Sequence, residues 1–355
     1  MTNNFSINLP QLLIVFIILL IIYTIFFSGS EGFENICMDY IPGYNYPTYT
    51  IKKNTIFVSV ASYRDLECSD TINSLFDNAD DPNRIYVGIC QQNKNDSLKE
   101  SCISEKNIKY INNISIHSIP HTEAKGPTYA RYWCSTLWSG QEYYFQIDSH
   151  TKFVKGWDTI IINMLNECPN PDLSILSSYP PTESQLKLSG IPIMDSYKLN
   201  NGLPIFYAGV YEVDTRKPVK SYKPFIAAGY MFLKANFLHK VPFDPMLSGL
   251  FQGEEVLLSA RFYTNGYDIY APNIKICTHH YNREGSMFYK DVKDNSKCRS
   301  LAEKKVLFLL GLTDKSSVID DFLKDYSRYG LGTNRTIENF WKDSGITYKD
   351  GKLVN

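Results

Sequence analysis

Apolar runs of different length and rhythm divide the chain. The first, residues 9–27, contains "LIVFIILLIIYTIFF", and no charged side chain occurs before Glu31. At roughly 19 residues it is long enough to cross a hydrocarbon core as a helix. From residue 55 the runs shorten. Residues 55–63, "TIFVSVASY", are rich in β-branched residues and predict a buried strand. Residues 84–92, 114–120 and 142–147 predict three more. Between the first two, Leu66, Thr71, Ile72, Leu75 and Phe76 recur at roughly helical spacing. Residues 126–138 predict a helix with Pro127 in its first turn, where a missing N–H costs nothing. Strand, helix, strand, strand, helix, strand is an α/β layout on a mostly parallel, Rossmann-like sheet. Ligands of such sheets sit beyond the carboxyl ends of the strands.

The second half is less regular. Helices are expected at 157–168, 253–267, 301–312 and 337–346, and a short strand at 173–180. Residues 226–243 predict strand then helix, and 267–283 a strand ending in paired histidines. The implied organisation is an anchor over 1–30, a Pro/Gly/Tyr-bearing linker over 31–53 and one large domain over 54–355.

Composition narrows the classes. The chain has 355 residues, 44% hydrophobic and 14% aromatic, so a sizeable core is expected. Lys+Arg 36 against Asp+Glu 37 gives a net charge of −1, which supplies no electrostatic footprint for nucleic acid. No Lys or Arg precedes Lys52, so the basic n-region of a signal peptide is missing, and residues 28–30, "SGS", are the only cleavage-like feature. The expectation is an uncleaved, single-pass membrane protein, type II by default because the large domain follows the anchor. The eight cysteines contain no CxxC pair, which argues against structural zinc. Sequons at Asn95, Asn113 and Asn334 are too few to mean much in so Asn-rich a chain.

Candidate chemistry gathers at strand ends. Asp148 and His150, two apart in an extended segment, share a face. One hard oxygen and one imidazole suit Mn²⁺ or another first-row divalent ion. A third ligand is expected from His279 or His280. Gly253-Glu254-Glu255 puts two acids at a helix start, where they either complement the helix dipole or meet a substrate hydroxyl. Arg64 and Asp65 follow the first strand, as a loop ion pair or as ligand contacts. GxGxxG, P-loop and HExxH patterns are absent.

In this order, Arg-Asp, D-x-H, G-E-E and H-H-x-x-R resemble a GT-A-type nucleotide-sugar glycosyltransferase. The likeness is nearest to the polypeptide GlcNAc-transferases that modify hydroxyproline, and more distant to the polypeptide GalNAc-transferases. It covers roughly residues 55 to 283. The resemblance implies transfer of a sugar, GlcNAc first, from a UDP-sugar to a protein hydroxyl on Ser, Thr or hydroxyproline, with retention of anomeric configuration. It implies Asp148, His150 and a histidine of the 279–280 pair as Mn²⁺ ligands, with His280 preferred because His280 and Arg283 reproduce His-x-x-Arg. By the same resemblance Arg283 meets the diphosphate, and Arg64, Asp65 and Arg131 lie near uracil and ribose. Ala228 and Gly229 let the backbone approach the sugar. Glu254 is the acid near sugar and acceptor, with Glu255 as runner-up. UDP-GalNAc as donor, a glycan acceptor, or an inactive carbohydrate-binding relative are the alternatives. The relatives that modify hydroxyproline act in the cytoplasm, whereas this chain carries an apolar N-terminal run.

Overall fold

The computed structural model describes residues 40–95, 97–214, 216–282, 285, 287–292, 296–349 and 352–354. The chain divides into two compact units, Met1–Ile41 and Pro42–Asn355. Of the first, only residues 40 and 41 are described, so the expected membrane span at 9–27 lies outside the described residues. Among the described residues no helix is long and apolar enough to cross a membrane.

The second unit is built on an eight-stranded sheet. Its strands are β1 (Lys52–Tyr63), β2 (Ile85–Asn93), β3 (Ile114–Pro120), β4 (Gln141–Asp148), β6 (Ser174–Ser177), β9 (Val219–Lys220), β10 (Tyr230–Lys234) and β11 (Asp268–Ala271). β5 (Thr151–Phe153) and β12 (Cys277–His279) form a separate antiparallel pair, as do β7 (Ile191–Asn200) and β8 (Leu203–Tyr211). The order across the large sheet is β3-β2-β1-β4-β10-β6-β11-β9. β1, β2, β3 and β4 pair in parallel, and so do β6 and β11. β10 runs antiparallel to both β4 and β6, so β4 and β6 point the same way. The carboxyl ends of β1, β2, β4 and β6 therefore share one edge of the sheet, and that edge carries the site.

Both faces of the central strands are covered, as a parallel sheet requires. Ile56, Val58 and Val60 of β1 join Tyr143, Phe145 and Ile147 of β4 on one face. They pack under α1 (Cys68–Asp77) and α3 (Trp157–Asn166) through Ile72, Leu75, Phe76, Trp157 and Ile161. On the other face Phe57 lies 5.3 Å from Tyr144, which meets Phe237 edge-on. α2 (Pro127–Thr136) covers that face, with Pro127 at its first position as expected. A second core joins α4 (Glu254–Thr264), α5 (Ser296–Leu309) and α6 (Ile337–Ser344) to Phe206 of β8 and to Phe225, whose rings stack at 3.8 Å.

Two features depart from the sequence reading. The hydrophobic pattern predicts no strand at 191–211, where the structure has the β7–β8 hairpin. Its turn is Asn201-Gly202, both at positive φ (50° and 78°), the arrangement that favours Asn-Gly in two-residue hairpins. The expected helix after residue 234 is only a 3₁₀ segment, Ala235–His239.

Candidate active site

β4 ends at Asp148, and β5 begins at Thr151. The turn between them is fixed by α1. Thr71 Oγ1 donates to the Ser149 carbonyl at 2.7 Å and accepts from Thr151 N at 2.9 Å. Thr151 Oγ1 in turn donates to the Asp148 carbonyl at 2.9 Å. β12 pairs with β5 so that His279 lies opposite Thr151, and His280 N donates to the His150 carbonyl at 3.2 Å. The His279 side chain turns toward the sheet edge, with Nε2 3.1 Å from Asp148 Oδ2. Ligand atoms of Asp148, His150 and His279 all lie within 4.8 Å of one another.

That distance answers which histidine joins the D-x-H pair. The preference for His280 does not survive, because adjacent residues leaving a strand face opposite ways. His280 is half exposed, and its Nδ1 lies 2.7 Å from Glu67 Oε1. The donor set of one carboxylate and two imidazoles suits a first-row divalent ion. With metal–ligand bonds of roughly 2 Å, two ligand atoms on one ion stand at most about 4 Å apart. The cluster therefore needs a shift of under about an ångström to close on a cation, and such an ion would supply charge neutralisation to a phosphate beside it.

The residues around Asp148 are wired together. Arg131, buried on α2, donates from Nη2 to Asp148 Oδ1 at 2.9 Å and from Nη1 to Glu254 Oε1. Burial opposes the charge on Asp148, but the hydrogen bond from His279 and the Arg131 guanidinium outweigh it and hold the carboxyl well below the usual range. Gly229 makes room for the same carboxylate, since a Cβ there would lie 2.5 Å from Asp148 Oδ2. Its missing side chain thus serves a protein carboxylate, whereas the resemblance had assigned that room to the sugar. Ala228 N donates to Glu255 Oε1 at 2.9 Å, and its carbonyl accepts from Gln146 Nε2 at 2.7 Å.

The two helix-start acids have different surroundings. Glu254, the expected acid, is 6% exposed and occupied by Arg131. Glu255 is less deeply buried and also accepts from Tyr179 OH at 2.6 Å. Burial pushes the Glu255 carboxyl up to about 7, against the hydrogen bonds from Tyr179 and Ala228. Burial raises the Glu254 carboxyl as well, against its pairing with Arg131, so both acids are shifted upward and only Glu255 is free of a direct arginine partner.

Arg64, Asp65 and Arg131 were expected beside the nucleoside, and the structure gives each another partner. Arg131 is the bridge just described. Arg64 takes a positive φ of 47° directly after β1, and its guanidinium lies between Glu100 (3.2 Å) and Asp291 (2.7 Å). Asp65 is 2% exposed, and its carboxylate faces Ser149 and His150. Arg283 lies outside the described residues. Tyr179 and Tyr281 were missed. Tyr281 packs its ring 4.2 Å from that of His279 and donates to the Pro180 carbonyl at 2.7 Å. A signal existed for both: Tyr179 closely follows a strand end, and Tyr281 is two residues beyond His279.

The chain matches the family Glycosyltransferase (GlcNAc) over residues 55–112 and 101–350, and it belongs to that family of glycosyltransferases. No curated protein matches it in sequence. Among solved structures it is similar to GalNAc-T7 with UDP, GalNAc and Mn²⁺, at a TM-score of 0.48 and 12% identity. That match covers 82% of this chain and 57% of the other, so the chain spans little over half of its length. Residues 1–349 of S. aureus TarS in complex with UDP-GlcNAc give a TM-score of 0.45 and 14% identity, covering 77% and 73%. The mannosyltransferase PcManGT from Pyrobaculum calidifontis, in complex with GDP-Man and Mn²⁺, gives 0.46 and 12%, covering 80% and 69%.

Proposed function

We propose that the chain is a GT-A-type, divalent-metal-dependent transferase that moves GlcNAc from UDP-GlcNAc to a protein hydroxyl. The observation that carries this reading is the cluster of Asp148, His150 and His279 at the carboxyl edge of the sheet, in a chain of the GlcNAc glycosyltransferase family. Asp148, His150 and His279 would hold the cation, Mn²⁺ by the chemistry of the donor set. The ion would offset charge on the departing UDP. Arg131 keeps Asp148 ionised and fixed between two partners, and Gly229 leaves that carboxylate its place. Glu255, held by Tyr179 and the Ala228 N–H, stands ready to hold a proton for the acceptor or to orient a sugar hydroxyl. The reading includes retention of anomeric configuration, as the family resemblance implies.

The acceptor belongs to the same proposal. Cys68 and Cys102 form a disulfide in the catalytic unit, and such bonds persist mainly in oxidising compartments. With the apolar run at 9–27, this supports a type II membrane protein whose catalytic unit faces an oxidising lumen. The acceptor is then a Ser, Thr or hydroxyproline hydroxyl of a protein passing through that compartment. The purified chain should transfer sugar from UDP-GlcNAc to hydroxyl-bearing peptides with Mn²⁺, and more slowly from UDP-GalNAc. Preference for UDP-GalNAc would move the donor assignment, and turnover only of glycan acceptors would move the acceptor.

A further inference from the structure

Asp65 sits where β1 gives way to α1, and its carboxylate is divided between two tasks. Oδ1 accepts from Glu67 N at 3.0 Å, a local turn that shapes the entry to α1. Oδ2 accepts from the Ser149 hydroxyl at 2.6 Å and stands 2.8 Å from His150 Nδ1. A turn or cap needs nothing from His150, so the second task requires its own explanation. A nucleoside contact does not supply it, because Asp65 is only 2% exposed and both oxygens are engaged on the protein side. A carboxylate facing Nδ1 holds the proton on that nitrogen and leaves Nε2 bare, which is how a second carboxylate orients a metal-binding imidazole. The Ser149 hydroxyl, donating to the same oxygen, keeps Oδ2 in place as an acceptor. Thr71 fixes the backbone of the turn on either side of His150, so the ring has a set origin as well as a set tilt.

We propose that Asp65 is a positioning residue of the metal centre, holding His150 as the Nδ1–H tautomer so that Nε2 serves the cation bound with Asp148 and His279. The inference rests on the divalent-metal reading of that site. It gives the acid of the "SYRD" segment a role through the histidine of the β4–β5 turn and not through the nucleotide.

The test is Mn²⁺ binding to the full chain without nucleotide sugar, followed by electron paramagnetic resonance of free Mn²⁺. Asp65→Asn should bind Mn²⁺ roughly 10–100-fold more weakly than wild type, the usual loss for an outer partner of a ligand. In a His150→Ala background the same substitution should cost nothing further, because its effect passes through the imidazole. Uptake by Asp65→Asn within about twofold of wild type, or an undiminished second loss in the double variant, overturns the role while leaving the metal site intact. Wild-type protein that takes up no Mn²⁺ overturns the metal reading and this role with it. Nitrogen-15 NMR of wild-type His150 reads the tautomer directly, even if Asp65→Asn does not fold. Nδ1–H supports the proposal, and a neutral Nε2–H ring contradicts it.

Discussion

His279 and His280 leave the same strand in opposite directions, and one side-chain alternation separates a candidate ligand from a half-exposed residue. Replacing His279 by Ala should weaken Mn²⁺ activation at least as much as loss of an outer partner does, roughly 10–100-fold. His280→Ala should change it by less than about threefold, since an exposed pair such as His280–Glu67 contributes little. Titrating sugar-transfer activity with Mn²⁺ in each variant separates them. The sequence could not, because the two histidines are adjacent in the chain and only the pairing of β12 with β5 sets their faces. Gly229→Ala belongs to the same scale. Its Cβ would arrive 2.5 Å from Asp148 Oδ2, so the carboxylate must leave Arg131 or His279, and Mn²⁺ affinity should fall in a protein that still folds. Wild-type affinity in this variant would show that the carboxylate has room to spare.

Glu255 carries a pH prediction. Its pKa is raised from 4.5 to about 7, with burial the first cause. A carboxyl raised in the folded state favours folding fully below the unfolded value, and that contribution is lost as pH rises through the folded value. The melting temperature of wild type should therefore fall, relative to Glu255→Gln, between pH 4.5 and about 7. A pH-independent difference would mean that the carboxyl titrates normally. If Glu255 also holds the acceptor's proton, the Gln variant should lose roughly 10²-fold in kcat.

At the scale of elements, the strands of the first half were legible because each is a buried, β-branched run bounded by polar residues. β1, β2, β3 and β4 lie within a few residues of their expected places. Their ends correctly placed D-x-H at the carboxyl edge. The sequence could not show that β10 enters the sheet antiparallel, since direction is decided by the connection and not by the strand's own residues. Nor could it show that Arg64 would meet Glu100 and Asp291, which lie far apart along the chain. The hairpin β7–β8 was legible in principle through Asn201-Gly202, and the irregular burial along its strands obscured it. The loop bearing Glu100 is tied to α1 by the Cys68–Cys102 disulfide. Cys102→Ser should lower unfolding stability by about 2–4 kcal/mol. Unchanged denaturant midpoints in the presence and absence of reductant would show that the bond is not formed in solution.

For the whole molecule, the proposed type II arrangement ties the catalytic unit to a membrane through the run at 9–27 and places it in an oxidising compartment. A chain beginning near residue 42 should be soluble and retain sugar transfer, because the sheet and the site lie within Pro42–Asn355. Cysteine labelling of the protein taken directly from cells should leave Cys68 and Cys102 unmodified until reductant is added. The central claim is that Asp148, His150 and His279 hold a divalent cation for transfer from a UDP-sugar. Its most direct test is UDP release from UDP-GlcNAc by the wild type, Asp148→Asn and His279→Ala, each with EDTA and across a Mn²⁺ titration. The account predicts Mn²⁺-dependent release by the wild type, abolished by EDTA and by Asp148→Asn, and shifted to much higher Mn²⁺ by His279→Ala. Full release in EDTA, or equal Mn²⁺ dependence in all three proteins, would contradict it.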